Sequence, residues 1–412
     1  MFPDGMTAVT NVTGPPIAHN RYWASDNVYA QQNGGDWPWL IEGELSLPLT
    51  QAFWDWLMAS SRNWGLRTYE QDWLDTVVDG MPSLTSNVTL GANWLRQMHH
   101  GAAKQGITIQ YCMSMVRHIL QSVELPAVTQ ARASGDYHSN LSDQWKIGGS
   151  SILADAIGIY PSKDNAWSTA SQPGNPYEGS RTEPFSRLQF AVLSFSRGPV
   201  AGSDGIGMSD ASLILRSCTR EGRLLRPDRP MRLMDGAIAS SALGASASPI
   251  NGETWSTYTT VGGATYPHVL AIEVQTAFTL APADLGLDPA GAYIVWEAND
   301  TTVQPFSAAS PVAVAPNTKA SFALLHVSPV GQASGWALVG EMDKWVATSA
   351  DRFADAEDSP MGLNVELKGD SGETVRVGFA KAGGRAITTV ACTIGPSGRI
   401  SIAMPAAKCI NL

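Results

Sequence analysis

The sequence predicts an α/β fold over residues 1–235 followed by an all-β C-terminal sandwich over residues 236–412, and three observations carry this. From about residue 15 to 230, short apolar strand-like runs alternate with helical stretches, the texture of a parallel β/α architecture. Beyond Arg229-Pro230 the runs become short and alternating, separated by turn clusters such as Asp370-Ser371-Gly372 and Gly395-Pro396-Ser397-Gly398, as in an antiparallel sandwich. The length, 412 residues, exceeds one ordinary core, so two domains are expected.

In the first half, strands are expected at residues 16–23, 65–72, 107–114, 127–136, 156–160 and 191–200, each followed by a polar loop bearing Gly or Asp. Helices are expected at 49–64 and 89–105, the second stopped by Gly106. In the second half, strands are expected at 269–274, 292–296, 320–327, 335–338, 375–379, 388–393 and 400–403.

Composition excludes several classes. With 44% hydrophobic and 16% charged residues the chain reads as folded rather than disordered. A formal charge of −10 argues against a nucleic-acid partner, which would need a basic face. No apolar run approaches the roughly 20 residues needed to span a bilayer, and no signal peptide is visible at the start. Four cysteines, Cys112, Cys218, Cys392 and Cys409, are too few and scattered for a disulfide framework, and their spacing fits no metal site. Sequons open at Asn11, Asn87, Asn140 and Asn299, close to the chance number, so compartment stays open, as does oligomeric state. The histidines form no H-E-x-x-H; His99-His100 read as surface residues, and His19 as either a cleft residue or a satisfied interior one. Gly202-Ser203-Asp204-Gly205-Ile206-Gly207 lacks the lysine of a phosphate loop, and no G-x-S-x-G occurs. No cofactor or metal is expected.

The chemistry lies in two acidic segments at strand ends. One is Gly65-Leu66-Arg67-Thr68-Tyr69-Glu70-Gln71-Asp72-Trp73, the other Ala127-Val128-Thr129-Gln130-Ala131-Arg132-Ala133-Ser134-Gly135-Asp136-Tyr137. Two carboxylates delivered by nearby strands suit glycosidic cleavage, which needs one on each side of the scissile bond. Ten of the fourteen tryptophans fall in the first 167 residues, and aromatic faces stack on sugar rings. Most of these are expected in the core; Trp23 and Trp73, beside strand ends, are the candidates for substrate contact.

Read in order, these segments resemble the retaining α-galactosidase clan, and within it the raffinose synthase and alkaline α-galactosidase branch of glycoside hydrolase family 36. Phe2-Pro3-Asp4-Gly5-Met6 is similar to F-P-x-G-L, and residues 17–23 take the place of the W-H-A…G-Y-W strand. Tyr69-Glu70-Gln71-Asp72-Trp73 resembles the K-x-D element and Tyr111-Cys112-Met113-Ser114 the C-M-x element. Arg132-Ala133-Ser134-Gly135-Asp136-Tyr137 is similar to R-A-S-D-D-F, and Pro161-Ser162-Lys163-Asp164 stands at P-D-W-D. Ser196-Arg197-Gly198-Pro199-Val200 with Ser203-Asp204 resembles S-G-G-P-V-x-x-S-D, and residues 222–230 resemble D-G-S-I-L-R…G-R-P. Glu70 stands at the Lys of K-x-D, and Ser162 at the first Asp of P-D-W-D.

The resemblance implies a (β/α)8 TIM-type barrel whose first two strands would precede Phe2, so a barrel truncated at its N-terminus is expected. It implies Asp72 as nucleophile and Asp136 as acid/base, with Trp23, Glu70, Trp73, Cys112, Arg132 and Asp164 binding an oligosaccharide or glycoside. The expected activity is α-galactoside hydrolysis by double displacement. Galactosyl transfer in the manner of raffinose synthase, or sugar binding without catalysis, are the alternatives. A like-charge conflict is also expected, because residues 70 and 72 of one strand share a face.

Overall fold

The computed structural model describes residues 2–139, 143–175, 181–298 and 300–412; the sequons at Asn140 and Asn299 lie outside them. The chain divides into two compact units, Met1–Ala133 with Leu153–Pro161, and Ser134–Ile152 with Ser162–Leu412.

The first unit is organised by a sheet of β1 (Ile17–Asn20), β2 (Thr68–Gln71), β3 (Thr108–Tyr111), β4 (Val128–Arg132) and β5 (Tyr160–Ser162), hydrogen-bonded in that order. The pairs β1–β2, β2–β3 and β3–β4 are parallel. Two helices, α1 (Gln51–Asn63) and α2 (Leu90–Lys104), intervene in sequence. On α2 the buried residues Gly91, Trp94, Leu95, Met98 and Ala102 recur at three- and four-residue steps, one face of a helix. The helix stops ahead of Gly106, which takes a left-handed φ of 62°. That face joins Phe53, Trp54 and Met58 of α1 and the sheet residues Tyr69, Ile109 and Tyr111 in one apolar core. Close approach of the helices requires Gly101, where a Cβ would lie 2.8 Å from the Trp54 carbonyl oxygen.

Strand alternation does the rest. With Tyr69, Gln71, Ile109 and Tyr111 committed to the buried side, Glu70 and Gln110 point to the opposite face.

The barrel expectation is met in part. Among the described residues the sheet is an open five-stranded run rather than a closed eight-stranded barrel. The strand expected at 191–200 is instead the end of a helix, α3 (Ser186–Phe195), in which every residue from Leu188 to Phe195 is buried. An apolar run this short, buried on all sides, has no periodicity to separate helix from strand. The strand expected at 156–160 begins only at Tyr160, because the preceding residues complete a helix, Ser150–Ile157.

In the second unit the expected antiparallel texture is present. A six-stranded sheet contains β6 (Arg232–Leu233), β7 (Glu253–Val261), β8 (Ala264–Ile272), β9 (Tyr293–Glu297), β10 (Gln304–Phe306) and β11 (Ala323–Pro329), in the order β10-β9-β11-β8-β7-β6. The β7–β8 hairpin turns on Gly262 and Gly263, both at positive φ (57° and 76°), as a two-residue turn matching strand twist requires. In register across β8 and β11, His268 faces His326, their Nδ1 atoms 2.7 Å apart, and both are buried.

The C-terminal strands are β12 (Trp336–Glu341), β13 (Phe353–Ser359), β14 (Gly362–Lys368), β15 (Thr374–Lys381), β16 (Ile387–Thr393), β17 (Arg399–Met404) and β18 (Lys408–Asn411). They form a three-stranded sheet, β12-β15-β16, and a four-stranded sheet, β13-β14-β17-β18. Inward residues of both, among them Val365, Leu367, Val377, Phe379 and Ile402, share one core. Arg352, fully buried, is neutralised by Glu341 at 2.9 Å and Glu373 at 2.7 Å. Cys392 and Cys409 form a disulfide with Cα atoms 5.9 Å apart, joining β16 of one sheet to β18 of the other. The scattered cysteines thus supply one staple rather than a framework, because the two sheets bring a single pair together. Cys112 and Cys218 remain free thiols. Among the described residues no helix is long and apolar enough to cross a membrane.

Candidate active site

The parallel register builds the site row by row. His19 of β1 lies opposite Glu70 of β2, Glu70 opposite Gln110 of β3, and Gln110 opposite Gln130 of β4. Two residues further along, on the same face, come Asp72, Cys112 and Arg132, at the C-terminal ends of their strands. Ligand sites of parallel α/β sheets occupy this end.

Asp72 is buried and held from several directions. Its backbone N–H donates to Asn20 O at 2.8 Å, and the Cys112 N–H donates to Gln71 O at 2.9 Å, which ties both strand ends together. Its Oδ2 lies 2.8 Å from His19 Nε2, and Oδ1 accepts the Trp73 N–H at 2.7 Å. Burial raises the Asp72 pKa, but hydrogen bonds from His19, the Cys112 thiol and the Trp73 N–H outweigh it and hold the carboxyl below its ordinary value. Glu70 moves the other way. Burial lifts its pKa and the Asp72 charge adds to that, against the pull of His19 and Arg132. Burial likewise pushes the Cys112 thiol up, so it stands as a hydrogen-bond donor rather than a thiolate.

The chain leaves both strands under strain. Trp73 and Met113, the residues after Asp72 and Cys112, adopt left-handed φ values of 55° and 42°. Such conformations in non-glycine residues persist where surrounding structure over-determines them, often at functional sites. The Arg21 guanidinium sits 4.0 Å over the Trp73 ring, and Tyr22 packs on it at 5.4 Å. Trp73, Tyr22, Asp75, Thr76 and Asp79 line a cavity of about 490 Å3.

Of the residues expected from sequence, Glu70, Asp72, Trp73, Cys112 and Arg132 are gathered in this first unit. Trp23 is placed differently, in a small antiparallel ribbon with Trp39–Glu42 and Leu45–Pro48. Its ring packs against Trp39, Phe53 and Tyr29 at 5.4, 5.4 and 5.6 Å. Of the two readings open for His19, a cleft residue or a satisfied interior one, the structure gives the contact with Asp72, through a β1–β2 register that the sequence alone does not show.

Asp136 and Asp164 belong to the second unit. Asp136 is exposed. Asp164 Oδ2 accepts the Tyr137 N–H at 2.5 Å, and the Asp164 N–H donates to Ser134 Oγ at 2.9 Å. Asp164 therefore braces the turn that carries Asp136. Among the described residues no three His, Cys, Asp or Glu side chains converge as a metal site.

No protein-family model matches the chain, and neither does any curated protein. Solved structures similar to it include a candidate alpha-N-acetylgalactosaminidase of Bacillus halodurans C-125, at 10% identity and TM-score 0.39 over 68% of this chain and 62% of that one. Another is a glycoside hydrolase family 5 protein of Bacteroides vulgatus ATCC 8482, at 10% identity and TM-score 0.26 over 68% of this chain and 86% of that one. The chain thus spans less than two thirds of the length of the first.

Proposed function

We propose that the protein is a retaining α-glycosidase acting on α-galactosides, with Asp72 as nucleophile and Asp136 as acid/base. The observation that carries this reading is the state of Asp72. It is a carboxylate at the C-terminal end of a parallel strand, kept ionised by His19, Cys112 and a backbone N–H despite burial. An ionised, oriented carboxylate is what attack on an anomeric carbon requires. The Asp136 role rests on the motif Arg132-Ala133-Ser134-Gly135-Asp136-Tyr137. In the first step Asp72 bonds to the anomeric carbon while Asp136 protonates the departing oxygen. In the second, Asp136 takes a proton from water, whose oxygen displaces Asp72 and regenerates the free carboxylate, with net retention.

A second reading makes Glu70 the proton donor. Its pKa is raised while that of Asp72 on the same face is lowered, and carboxyls pushed apart in this way divide acid and nucleophile roles.

The test is hydrolysis of an aryl α-galactoside, with and without sucrose as acceptor, by wild type and by Asp72→Asn, Asp136→Asn and Glu70→Gln. Asp72→Asn should be inactive with its fold intact. The proton-donor variant should retain turnover on the aryl substrate and respond to azide by forming an α-galactosyl azide. Product made only with sucrose would favour a transferase. Wild-type inactivity on all α-glycosides, with sugar binding retained, would favour the non-catalytic alternative.

A further inference from the structure

Two of the four sequons, at Asn11 and Asn87, lie wholly among the described residues, and their backbones differ. Asn11-Val12-Thr13 forms the last turn of a helix, Gly5–Thr13, where the Thr13 hydroxyl donates back to Val9 O at 3.1 Å. Asn87-Val88-Thr89 instead makes the turn between a short helix, Pro82–Ser86, and α2. All three of its residues are exposed, Val88 at 96%. An enzyme that modifies asparagine must reach the side-chain nitrogen and grip the residues after it, which an exposed turn permits without unwinding a helix.

The two ends of the Asn87 amide have separate tasks. Oδ1 accepts the N–H groups of Thr89 and Leu90 at 3.0 and 3.1 Å and the Thr89 hydroxyl at 3.0 Å, satisfying donors that α2 leaves open at its start. Nδ2 takes no part in these bonds. A sugar on Nδ2 keeps the amide oxygen as an acceptor, so the turn and the helix start survive the modification.

An independent observation in the other unit points the same way. Cys392 and Cys409 are joined as a disulfide, while the free thiols of Cys112 and Cys218 are buried. Disulfides form and persist in oxidising compartments, and an exposed sequon in such a compartment is a glycan acceptor. We infer that Asn87 carries an N-linked glycan, received from a lipid diphosphate-linked oligosaccharide. In that step Asn87 Nδ2 bonds to the anomeric carbon of the donor sugar and gives up one proton. The bond from that carbon to the diphosphate oxygen breaks, and the diphosphate leaves with the electron pair. The inference concerns maturation of the chain and does not rest on the glycosidase reading.

The experiment takes the whole protein from the cells that make it, treats it with peptide N-glycosidase in heavy-oxygen water, and weighs its peptides. Removal of an N-glycan leaves an aspartate bearing the heavy oxygen, so residue 87 should be labelled in most copies. The treated chain should also run faster than the untreated one in a denaturing gel. Incubation without the enzyme should give no label, which separates glycan removal from spontaneous deamidation. Made in the same cells, Thr89→Ala breaks the sequon with Asn87 in place and should lose the label at residue 87, whereas Thr89→Ser keeps the hydroxyl and should retain it. The wild-type measurement stands even if a variant fails to fold. An unlabelled Asn87 in the wild-type protein, label confined to other sequons, label without the enzyme, or undiminished label in Thr89→Ala would each overturn the proposal. None of these outcomes bears on the hydrolase reading, and inactivity on galactosides leaves this assignment untouched.

Discussion

His19 Nε2 meets Asp72 Oδ2 at 2.8 Å although the cross-strand partner of His19 is Glu70, so the imidazole reaches diagonally, one row along the neighbouring strand. Diagonal contacts of this kind lie within range of long or aromatic side chains. From there it acts on two carboxylates, lowering the pKa of Asp72 and opposing the rise of Glu70.

Replacing His19 with Ala should therefore raise the Asp72 midpoint, since burial would lose its main opponent. Carboxyl 13C titration by NMR measures it directly. Because the folded value is depressed, Asp72 adds stability above its unfolded pKa and loses it as pH falls through the folded one. An unchanged Asp72 midpoint in the variant would remove His19 from the site.

Asp72→Asn should lower the Glu70 midpoint in the same carboxyl titration, because Glu70 titrates while Asp72 is already ionised and that charge raises it; Glu70→Gln tests what the raised carboxyl does. If Glu70 is also the proton donor, the variant should lose alkyl galactosides far more than activated aryl ones. Parallel losses on both substrates would return that role to Asp136.

The His268–His326 pair predicts acid sensitivity. Burial brings the His268 pKa down to about 3 and holds His326 well below its ordinary value, so both stay neutral in the native state. Unfolded histidine binds a proton near pH 6.5, so stability should fall as pH drops from about 6.5 toward 3, by about 2 kcal/mol at pH 5 for His268 alone. Denaturant unfolding of wild type and of His268→Leu/His326→Leu at pH 7 and pH 5 tests this. The double variant should flatten the profile, and an equally steep one would locate the acid sensitivity elsewhere.

Gly101→Ala should destabilise the protein by about 1–3 kcal/mol, since the added methyl would press on the Trp54 backbone and force α1 and α2 apart. Gly149→Ala, where a Cβ meets nothing within 4 Å, serves as the control and should be nearly neutral. Equal melting temperatures for the two would show that the helix contact tolerates the methyl.

Thiol titration of the unreduced, denatured protein should detect two reactive cysteines, Cys112 and Cys218, and four after reduction. Replacing Cys409 with Ser should cost about 3 kcal/mol, the scale expected for closing a loop of this length. Four reactive thiols without reductant would mean that the two C-terminal sheets are held by packing alone.

Local periodicity by itself determined a good deal of this protein. Alternation placed Glu70 and Asp72 on one face, and Gly106 marked the end of α2, because side-chain direction and helix stops are set within a few residues. The turn glycines and alternating runs beyond residue 250 announced antiparallel strands for the same reason. The tertiary structure decided which distant residues meet. His19 reaches Asp72 only because β1 pairs with β2 in one register, and a one-residue slip would turn His19 to the other face. Arg216 lies over Trp345, and Cys392 joins Cys409, through packing that no local pattern encodes. Residues 191–195 show the same limit from the other side: their uniform apolarity signals burial, and only their neighbours in space make them a helix rather than a strand.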